Sequence, residues 1–584
     1  MDNNKKLHGE TVDVVISGLG PTGATLAHLL GKRGLSVIVL EREPTFYGNA
    51  RAVYTDDECM RIMQSAGVAD ELAEDMQIDT PAQWTFADGR VLGQYWQLKR
   101  PFGWPVINFL YQPWMETRLT DLLQRYPNVQ IRRGRELTAF EQNDEWVTVT
   151  HQATRTFRFS ESSDARSEHE IDVDPQIIRA RYLVGADGGR STVRESLGIK
   201  MDGKNFPEPW LVVDLELKEG EEALRHIPYF NFVCDPICPT VSCPQPGRFH
   251  RFEFMLMPGQ TKEYMEDPAT VRKLISRHVD PDKFDVKRRL VYTFNALVAQ
   301  EWRRGRVLLA GDAAHMTPQF MGQGMSSGVR DAYNLAWKLD AVLKGRAGDQ
   351  LLDTYSRERY HHAKAMIDIS VVMKDFVSMA HPVKAALRNI TAKTLQATPV
   401  IGKWIREGGF KPTPTYKAGT YLGIPRRGRR SVEGKMVPQP HVRTFKGKRV
   451  LLDSLMGEDF ALIGLGVNPQ DFLNGQSRAL LAAQGVNYLS LFPFGGRPQG
   501  KDVQRHTPSG LVEVEEVGEE MLKWFKRSGA KQNAVAIVRP DKFAFAVVSG
   551  DELNAAIEEL GRQLGWSAAL AGSVTERQPL RKSA

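Results

Sequence analysis

The chain opens its regular pattern with an apolar run, a glycine-rich loop and a helix-type repeat. Residues 12–16 are apolar and β-branched apart from Asp13, as in a strand buried on both faces. Gly-Leu-Gly-Pro-Thr-Gly occupies residues 18–23, a helix-type segment covers 24–30, and a second strand-type run, residues 36–40, ends in Glu41. This order predicts a β-α-β unit.

Three later stretches show other periods. Apolar and polar positions alternate in several segments of residues 205–300, which predicts a largely antiparallel sheet. Apolar residues at three- and four-residue steps predict a helical region over 328–362. Residues 448–570 combine strands and helices with a hairpin around 539–542 and a closing helix from Asp551, which predicts a small α/β domain.

The composition is that of a folded, multidomain protein. The 584 residues are 42% hydrophobic and 25% charged, and the net charge of +7 is too dilute to indicate a nucleic-acid partner. The cysteines (Cys59, Cys234, Cys238 and Cys243) are too few for a disulfide framework and lack the partners of a closed zinc shell, so no metal is expected. The polar N-terminus is unlike a signal peptide, and no run approaches the roughly 18 apolar residues of a membrane span. A cytoplasmic location is expected.

The glycine-rich loop has the spacing of a dinucleotide-binding fingerprint. Such a loop lets backbone approach a pyrophosphate closely and directs a helix N-terminus at its charge. Glu41, at the end of the second strand, is placed to accept hydrogen bonds from an adenosine ribose. A second glycine segment at 464–469 lacks the third glycine and is predicted to be an ordinary turn.

Two further segments combine a strand, a glycine and an acidic residue. Residues 184–194 contain Asp187 in Gly-Ala-Asp-Gly, and residues 306–315 place Asp312 in Gly-Asp-Ala-Ala-His after a strand. A carboxylate there can accept hydrogen bonds from ribityl hydroxyls. The glycine-rich turn at 322–328 opens a helix and presents free N–H groups with a positive dipole end. This combination suits the N1/C2 edge of a flavin ring, where negative charge accumulates on reduction.

These three motifs, in this order over residues 12–365, resemble those of the group A single-component FAD-dependent aromatic hydroxylases. The similarity to the phenylpropionate hydroxylase branch of that family extends to further segments. They are the acidic triplet 56–58, Phe-Gly-Trp-Pro at 102–105, residues 251–255 and residues 352–366.

The resemblance implies an α/β fold with interleaved domains. A Rossmann-like FAD-binding domain would take about residues 10–75, 110–200 and 290–365, and a mainly antiparallel β-sheet substrate-binding domain about 76–109 and 201–289, with a helical connector to about 400. A linker over 401–447 and a thioredoxin-like α/β domain over 448–584 would follow. That last domain contains no cysteine, so a redox role for it is not expected.

The resemblance also implies a set of FAD-binding residues. The loop would line the pyrophosphate, Glu41 would bind the adenosine ribose, and Asp187 belongs to a motif that the family associates with both FAD and NAD(P)H. A surface charge is the alternative for Arg51, and a loop amide for Gln112. The expected set is Gly18, Gly20, Pro21, Thr22, Gly23, Glu41, Arg42, Arg51, Gln112, Asp187, Asp312, Pro318, Gly322, Gly324, Met325 and Ser326.

The implied reaction is an NAD(P)H-dependent monooxygenation. NADH, or NADPH, would reduce FAD, and the reduced flavin would trap O2 as a C4a-hydroperoxide. One oxygen would then pass to a phenolic ring. The expected substrate is a 3-hydroxyphenylpropionate-like aromatic acid, and the expected setting is aromatic catabolism. Pro318 would shape the oxygen-reactive face, Arg251 is a candidate for binding a substrate carboxylate, and Tyr292 is a candidate for the proton relay. The alternatives are Arg248 for the carboxylate, and His250 and Asp235 for the relay.

Other functions stay open on the sequence alone. A larger polycyclic or polyketide phenol is the alternative substrate, and a flavin-dependent reductase or halogenase is the alternative class. Gly-Trp-Pro at 103–105 does not match the Trp-x-Trp-x-Ile-Pro motif of halogenases. The expected partners are a small phenol, O2 and NAD(P)H, with no nucleic acid and no membrane, and a homodimer is left open. The residues expected to face the substrate are Phe320, Met321, Met325 and Cys238.

Overall fold

The chain has a mixed α/β fold with several β-sheets, as the sequence predicts. A computed structural model describes residues 10–46, 51–154, 156–157, 167–168, 174–206, 208–222, 224, 227, 229–423, 431–498, 510–529 and 533–566. The chain divides into two units. The first comprises residues 1–100, 104–332 and 363–412, and the second comprises residues 101–103, 333–362 and 413–584.

The strands, in chain order, are β1 (Glu10–Ser17), β2 (Val37–Glu41), β3 (Tyr54–Thr55), β4 (Gln77–Ile78), β5 (Ala82–Thr85), β6 (Val91–Tyr95), β7 (Asn108–Phe109), β8 (Val129–Arg133), β9 (Arg135–Gln142), β10 (Val147–Ala153), β11 (Thr156–Phe157), β12 (Ser167–Glu168), β13 (Gln176–Gly185), β14 (Met201–Asn205), β15 (Trp210–Leu217), β16 (Phe230–Val233), β17 (Thr240–Pro244), β18 (Phe249–Met255), β19 (Phe284–Tyr292), β20 (Asn295–Ala299), β21 (Arg303–Arg304), β22 (Val307–Leu309), β23 (His315–Met316), β24 (His441–Thr444), β25 (Arg449–Leu451), β26 (Ala461–Leu465), β27 (Asn487–Pro493), β28 (Leu511–Glu516), β29 (Ala534–Val538) and β30 (Ala544–Ser549).

The helices are α1 (Pro21–Lys32), α2 (Asp57–Ala66), α3 (Ala69–Ala73), α4 (Gln112–Leu122), α5 (Thr192–Ser196), α6 (Lys262–Glu266), α7 (Pro268–Ile275), α8 (Gln323–Leu343), α9 (Asp353–Val377), α10 (Pro382–Ala397), α11 (Pro399–Arg406), α12 (Asp453–Met456), α13 (Gly475–Ala482), α14 (Glu520–Arg527) and α15 (Leu553–Leu564). Among the described residues, no helix combines the length and the apolar character needed to cross a membrane.

A parallel sheet at the start of the first unit confirms the predicted β-α-β element. Its central strands run in the order β22-β13-β1-β2-β8, and Val14, Val15 and Ile16 of β1 are fully buried. Helix α1 begins directly after Gly20 with Pro21 in its first turn, where the missing N–H of proline is tolerated. The register aligns Ser17 with Gly185 and Gly185 with Leu309, so the carboxyl ends of β1, β13 and β22 lie side by side.

A second sheet in the same unit has the order β19-β15-β18-β17-β16-β5-β6. The expectation of an antiparallel sheet over residues 205–300 is confirmed. In this sheet β16 pairs with β5 in parallel. Strands β5 and β6, from residues 82–95, form an antiparallel hairpin at the end of the sheet opposite β19. Apolar side chains of β5 and β16 pack together, and the rings of Trp84 and Phe232 stack at 5.7 Å.

The second unit contains a mixed sheet in the order β25-β24-β28-β27-β26-β29-β30. The predicted hairpin is present as β29 and β30, and Lys542 in its turn has φ +63°. The helical region expected over 328–362 is divided between α8 and α9, because Gly345 (φ +68°) follows the end of α8. Of the predicted linker over 401–447, residues 424–430 lie outside the described residues, as do residues 567–584 of the predicted C-terminal domain.

A buried ionic cluster lies within the second unit. The carboxylate of Glu358 accepts hydrogen bonds from Arg539 at 2.7 and 2.8 Å, from Lys338 at 2.7 Å and from Asn334 at 2.7 Å. Arg539 also pairs with Asp541 at 2.6 Å, and the side chains of these ion pairs are fully buried. Such a cluster depends on every charge being matched.

Candidate active site

The glycine-rich loop is packed so tightly that two of its glycines admit no side chain. A Cβ on Gly18, which has φ +101°, would lie 2.4 Å from the carbonyl oxygen of Ala186. A Cβ on Gly23 would lie 2.0 Å from the carbonyl oxygen of Gly18. A Cβ on Gly20, in contrast, meets nothing within 4 Å, so the backbone at the start of α1 borders open space.

Thr22 joins the loop to the other two motifs. A Cβ on Gly311 (φ +62°) would lie 2.6 Å from Thr22 Oγ1, and a Cβ on Gly328 would lie 2.0 Å from the same atom. Three stretches far apart in sequence therefore meet at one place, at the carboxyl ends of the parallel strands. In open α/β sheets this edge is where ligands bind.

The carboxylate of Glu41 is held against the glycine-rich loop. Its Oε2 accepts the N–H of Leu19 at 2.8 Å, and its Oε1 accepts the N–H of Glu43 at 2.9 Å. These bonds fix its orientation and leave lone pairs on both oxygens. Arg42 is about half exposed and lies 3.4 Å from the carboxylate of Glu43.

Gln112 clamps the segment that carries Arg51. Its side-chain oxygen accepts the N–H groups of Arg51 at 2.5 Å and Ala52 at 2.6 Å, and its Nε2 donates to Glu116 Oε1 at 2.5 Å. Burial raises the pKa of Glu116 to about 7. Arg251 adds a hydrogen bond from its guanidinium to the carbonyl oxygen of Arg51 at 2.7 Å.

The two acidic residues of the later motifs retain acceptor capacity at this edge. Among the described residues none donates a hydrogen bond to the Asp312 carboxylate, and burial raises its pKa, opposed by the nearby charge of Arg51. Asp187 accepts the N–H of Val193 at 3.2 Å through Oδ2, while its buried Oδ1 has no partner in the described part of the chain. Both sites offer acceptors to hydroxyl or amide donors.

His315 has a structural role in this geometry. Its Nε2 lies 2.6 Å from Asp331 Oδ2, and the same oxygen accepts the N–H of Gly311 at 3.0 Å. Both side chains are fully buried. Asp331 on α8 therefore ties the strand end that carries Asp312 to the helix that follows.

The segment from Pro318 to Ser326 leads into α8, which begins at Gln323. Pro318 is buried, Gly322 has φ +60°, and a Cβ there would lie 2.5 Å from the ring of Tyr54. Gly324 has only the carbonyl oxygen of Thr317, at 3.8 Å, near the position of a Cβ. The first N–H groups of this 21-residue helix lack intrahelical acceptors and carry its positive dipole end.

An aromatic cleft lies next to this segment. Its walls come from β3, β5, β6 and β16, from the start of α8, from α9 and from the stretch after α11. The residues that line it are Tyr54, Ala82, Trp84, Tyr95, Ile107, Phe230, Phe232, Phe320, Met321, Gln323, Met373, Phe410 and Lys411. Most of these side chains are apolar or aromatic, which is the lining expected where an aromatic ring packs.

One edge of the cleft is charged. Lys411 Nζ donates to Asp56 Oδ2 at 2.8 Å and lies 3.7 Å from Asp57 Oδ1. Arg330 also binds Asp56, and its Nε lies 2.7 Å from Glu58 Oε2. Burial acts to raise the pKa of Asp56, but Arg330 and Lys411 hold it well below its usual range.

The neighbouring carboxyl behaves differently. Burial raises the pKa of Asp57 to about 7, with Lys411 acting in the opposite direction. Asp57 is therefore partly protonated near neutral pH.

Several candidates from the sequence lie away from the cleft wall. The guanidinium of Arg251 binds Asp214 at 2.6 and 3.1 Å, and Tyr292, on the opposite edge strand of the sheet, packs against Arg288. Neither lines the cleft. The same holds for His250, bonded to Ser242, for Asp235, bonded to Arg277, for Arg248, bonded to the carbonyl of Leu217, and for Met325 and Cys238.

Most of the cleft wall could not be identified from the sequence. Of the residues expected to face the substrate, Phe320 and Met321 do line the cleft. Lys411 fell within the predicted linker, although residues up to 412 belong to the first unit. The acidic triplet 56–58 is the sequence signal that could have indicated a cation at this site, because buried carboxylates require a cationic partner.

The residues at the strand edge fit an FAD molecule. Gly20 leaves room for close approach of a pyrophosphate to the helix N-terminus, and the Asp312 carboxylate has acceptor capacity for a ribityl hydroxyl. The family model described as "FAD binding domain" matches residues 11–370, and the model described as "HcaD C-terminal domain" matches residues 434–563. The fold and site thus define an FAD-binding flavoprotein.

Similar proteins specify the family. The chain is 36% identical over 555 residues to the 3-(3-hydroxy-phenyl)propionate/3-hydroxycinnamic acid hydroxylase of Klebsiella pneumoniae (strain 342), with 95% of each chain covered. Its fold matches that of aklavinone-11 hydroxylase in complex with FAD and aklavinone, with a TM-score of 0.73 at 24% identity over 97% of this chain and 100% of that chain. It also matches p-nitrophenol 4-monooxygenase from Pseudomonas putida DLL-E4, with a TM-score of 0.60 at 26% identity over 69% and 98%. The chain belongs to the single-component FAD-dependent aromatic hydroxylases, in the family of the 3-(3-hydroxyphenyl)propionate hydroxylases.

Proposed function

We propose that this flavoprotein hydroxylates the ring of 3-(3-hydroxyphenyl)propionate or a closely similar phenolic acid, using NADH or NADPH and O2. The observation that carries the proposal is the aromatic cleft beside Pro318 and the start of α8, with Lys411 at its edge. Relatives that share 36% of their residues with this chain over nearly its whole length are named for this substrate.

FAD, when bound, accepts hydride from a nicotinamide and activates O2 for transfer of one oxygen to the ring. The glycine-rich loop would hold the pyrophosphate of FAD, and Glu41 with Arg42 would hold its adenosine ribose. Asp312 would bind the ribityl chain, and Asp187 would lie near both FAD and NAD(P)H. The contacts of Arg51 support it as a flavin contact, because Gln112 holds the N–H groups of Arg51 and Ala52 while Arg251 holds the carbonyl oxygen of Arg51.

The residues beside the cleft would control the reacting ring. The N–H groups at Gly324, Met325 and Ser326, at the positive end of α8, would favour negative charge next to them without reorganisation. The N–H of Gly322, just before the helix, instead donates to the carbonyl oxygen of Gln319 at 2.7 Å. Pro318 and the aromatic walls would orient the substrate and exclude water from it.

The contacts of Arg251 support a positioning role in place of carboxylate binding. Its guanidinium is occupied by Asp214 and by the carbonyl of Arg51, so it fixes the segment that carries Arg51. The contacts of Tyr292 supply no support for a proton relay at the cleft. The C-terminal sheet is proposed to be a thioredoxin-like domain without a redox role, because the last cysteine in the chain is Cys243.

Coupled turnover tests the proposed function. Purified protein should oxidise NADH or NADPH and consume O2 faster when 3-(3-hydroxyphenyl)propionate is added, and mass spectrometry should detect a product heavier by one oxygen. Larger polycyclic phenols, assayed in parallel, test the alternative substrate class. Nicotinamide oxidation that no phenol stimulates would favour a reductase instead.

A further inference from the structure

We propose that the ammonium group of Lys411 binds an anionic oxygen of the aromatic substrate inside the cleft. The anion is either the side-chain carboxylate or the ionised ring oxygen. The inference rests on the proposed function, because it names the group that recognises the charge of that substrate.

Lys411 is the one residue with a formal charge among those that line the described cleft. The other walls are apolar or aromatic, with phenol groups on Tyr54 and Tyr95 and one amide on Gln323. An anion that enters such a cleft loses its hydration, so it needs a cation within contact distance. Tyr54 is less available as a donor, because its hydroxyl already donates to the carbonyl oxygen of Val106 at 3.1 Å.

The ammonium retains donors for a ligand. The ammonium group of Lys411 makes one hydrogen bond to the described residues, with Asp56 at 2.8 Å, although it carries three N–H donors. Asp56 also accepts from Arg330 and from the N–H of Cys59, so its charge is shared between two cations. Asp56 thereby holds the ammonium in place without saturating it.

The neighbouring carboxyl makes room for a further negative charge. Burial raises the pKa of Asp57 to about 7, so this group can take up a proton when an anion binds next to Lys411. Arg251 offers no comparable site, because its guanidinium is engaged by Asp214 and by the carbonyl of Arg51 and does not line the cleft.

The test is ligand binding to the FAD-loaded enzyme, measured as the change in flavin absorbance. Three ligands separate the two sources of charge: 3-(3-hydroxyphenyl)propionate, 3-phenylpropionate, which lacks the ring hydroxyl, and 3-propylphenol, which lacks the carboxylate. Lys411→Met should weaken binding of the first ligand by about tenfold or more, as expected for loss of a hydrogen bond to a charged group. Lys411→Arg should restore most of that affinity.

The matched control is Lys374→Met. Lys374 is also largely buried in the first unit and pairs with Glu208 at 3.1 Å, but it does not line the cleft. This variant should change the three dissociation constants by less than about twofold. If Lys411→Met does not retain FAD, Lys411→Gln replaces it, because glutamine keeps a donor for Asp56 without the charge.

Each outcome decides the proposal. Selective loss of 3-phenylpropionate binding would support it and identify the carboxylate as the partner, and selective loss of 3-propylphenol binding would support it and identify the ring oxygen. Unchanged affinities, or equal losses for both ligands, would overturn it. A wild-type enzyme that binds the ligands but never couples them to NAD(P)H and O2 consumption would refute the proposed function and leave the binding result intact.

Discussion

Replacing Gly20 by alanine should separate cofactor binding from folding. Gly20 has φ −65° and ψ −179°, a conformation that alanine adopts without strain, and the added Cβ meets no protein atom within 4 Å. Alanine is a poorer N-cap than glycine by about 0.5–1 kcal/mol, and its smaller unfolded-state entropy returns about 0.4–1 kcal/mol. The free energy of unfolding of the apoprotein should therefore change by less than about 0.5 kcal/mol.

The same methyl group should weaken FAD binding. It occupies the open space that allows a pyrophosphate to approach the first N–H groups of α1, and loss of a hydrogen bond to a charged group is worth about 1.5–3 kcal/mol. The dissociation constant for FAD should rise roughly 10- to 150-fold.

Gly23→Ala is the matched control, because its Cβ would lie 2.0 Å from the carbonyl oxygen of Gly18 and must displace the loop. It should destabilise the apoprotein itself by about 1–3 kcal/mol. The assay combines urea unfolding of the apoproteins with titration by FAD, followed through quenching of flavin fluorescence. If Gly20→Ala binds FAD as tightly as the wild type, the pyrophosphate does not lie over this loop.

Three further predictions follow from other parts of the structure. Asp312→Asn should weaken FAD binding about tenfold or more while leaving the apoprotein as stable or more stable, because the variant removes a desolvated carboxylate to which no described residue donates; equal FAD affinity would contradict this role. Burial raises the pKa of Asp57 from 3.8 to about 7, so between these pH values the native state binds more protons than the unfolded state, and the protein loses stability as pH rises towards 7. The free energy of unfolding of Asp57→Asn, measured with urea, should therefore rise relative to that of the wild type as the pH increases from 5 to 8. A difference between the two proteins that does not depend on pH would refute the raised pKa. Burial opposes ionisation of Glu358, but Arg539 and Lys338 hold its pKa at about 2, so its stabilisation is complete above about pH 4.5 and is lost as pH falls through 2. Glu358→Gln should destabilise the protein by about 3–5 kcal/mol at pH 7, and a loss below 1 kcal/mol would show that the cluster is not tightly coupled.

The dinucleotide-type unit could be predicted from the sequence because its signals are local. The apolar strand, the glycine loop and Pro21 at the start of α1 follow one another directly in the chain, so a short stretch of sequence is enough to predict all three. The meeting of Gly311 and Gly328 at Thr22 was expected only as a convergence of motifs, since no sequence pattern states which side chain fills the gap between them.

The cleft and its charged edge could not be predicted in the same way. Alternation predicts strands but not their partners, so the parallel pairing of β5 with β16, which brings Trp84 beside Phe232, is invisible in the sequence. Arg251 was a candidate for substrate binding because its directly opposite neighbour on the adjacent strand, Asp214, is known only from the register. Lys411 follows α11 in a proline-rich stretch that was predicted to be a linker, and only tertiary structure places it beside Asp56.

The isotopic origin of the oxygen added to the product is the sharpest test of the proposed monooxygenation. The FAD-loaded enzyme is supplied with a reduced nicotinamide, 3-(3-hydroxyphenyl)propionate and ¹⁸O2, and the product is analysed by mass spectrometry. We expect one ¹⁸O atom in the ring of each product molecule and one nicotinamide oxidised per hydroxylation. A product that carries only oxygen from water, or nicotinamide oxidation without any hydroxylated product, would contradict it.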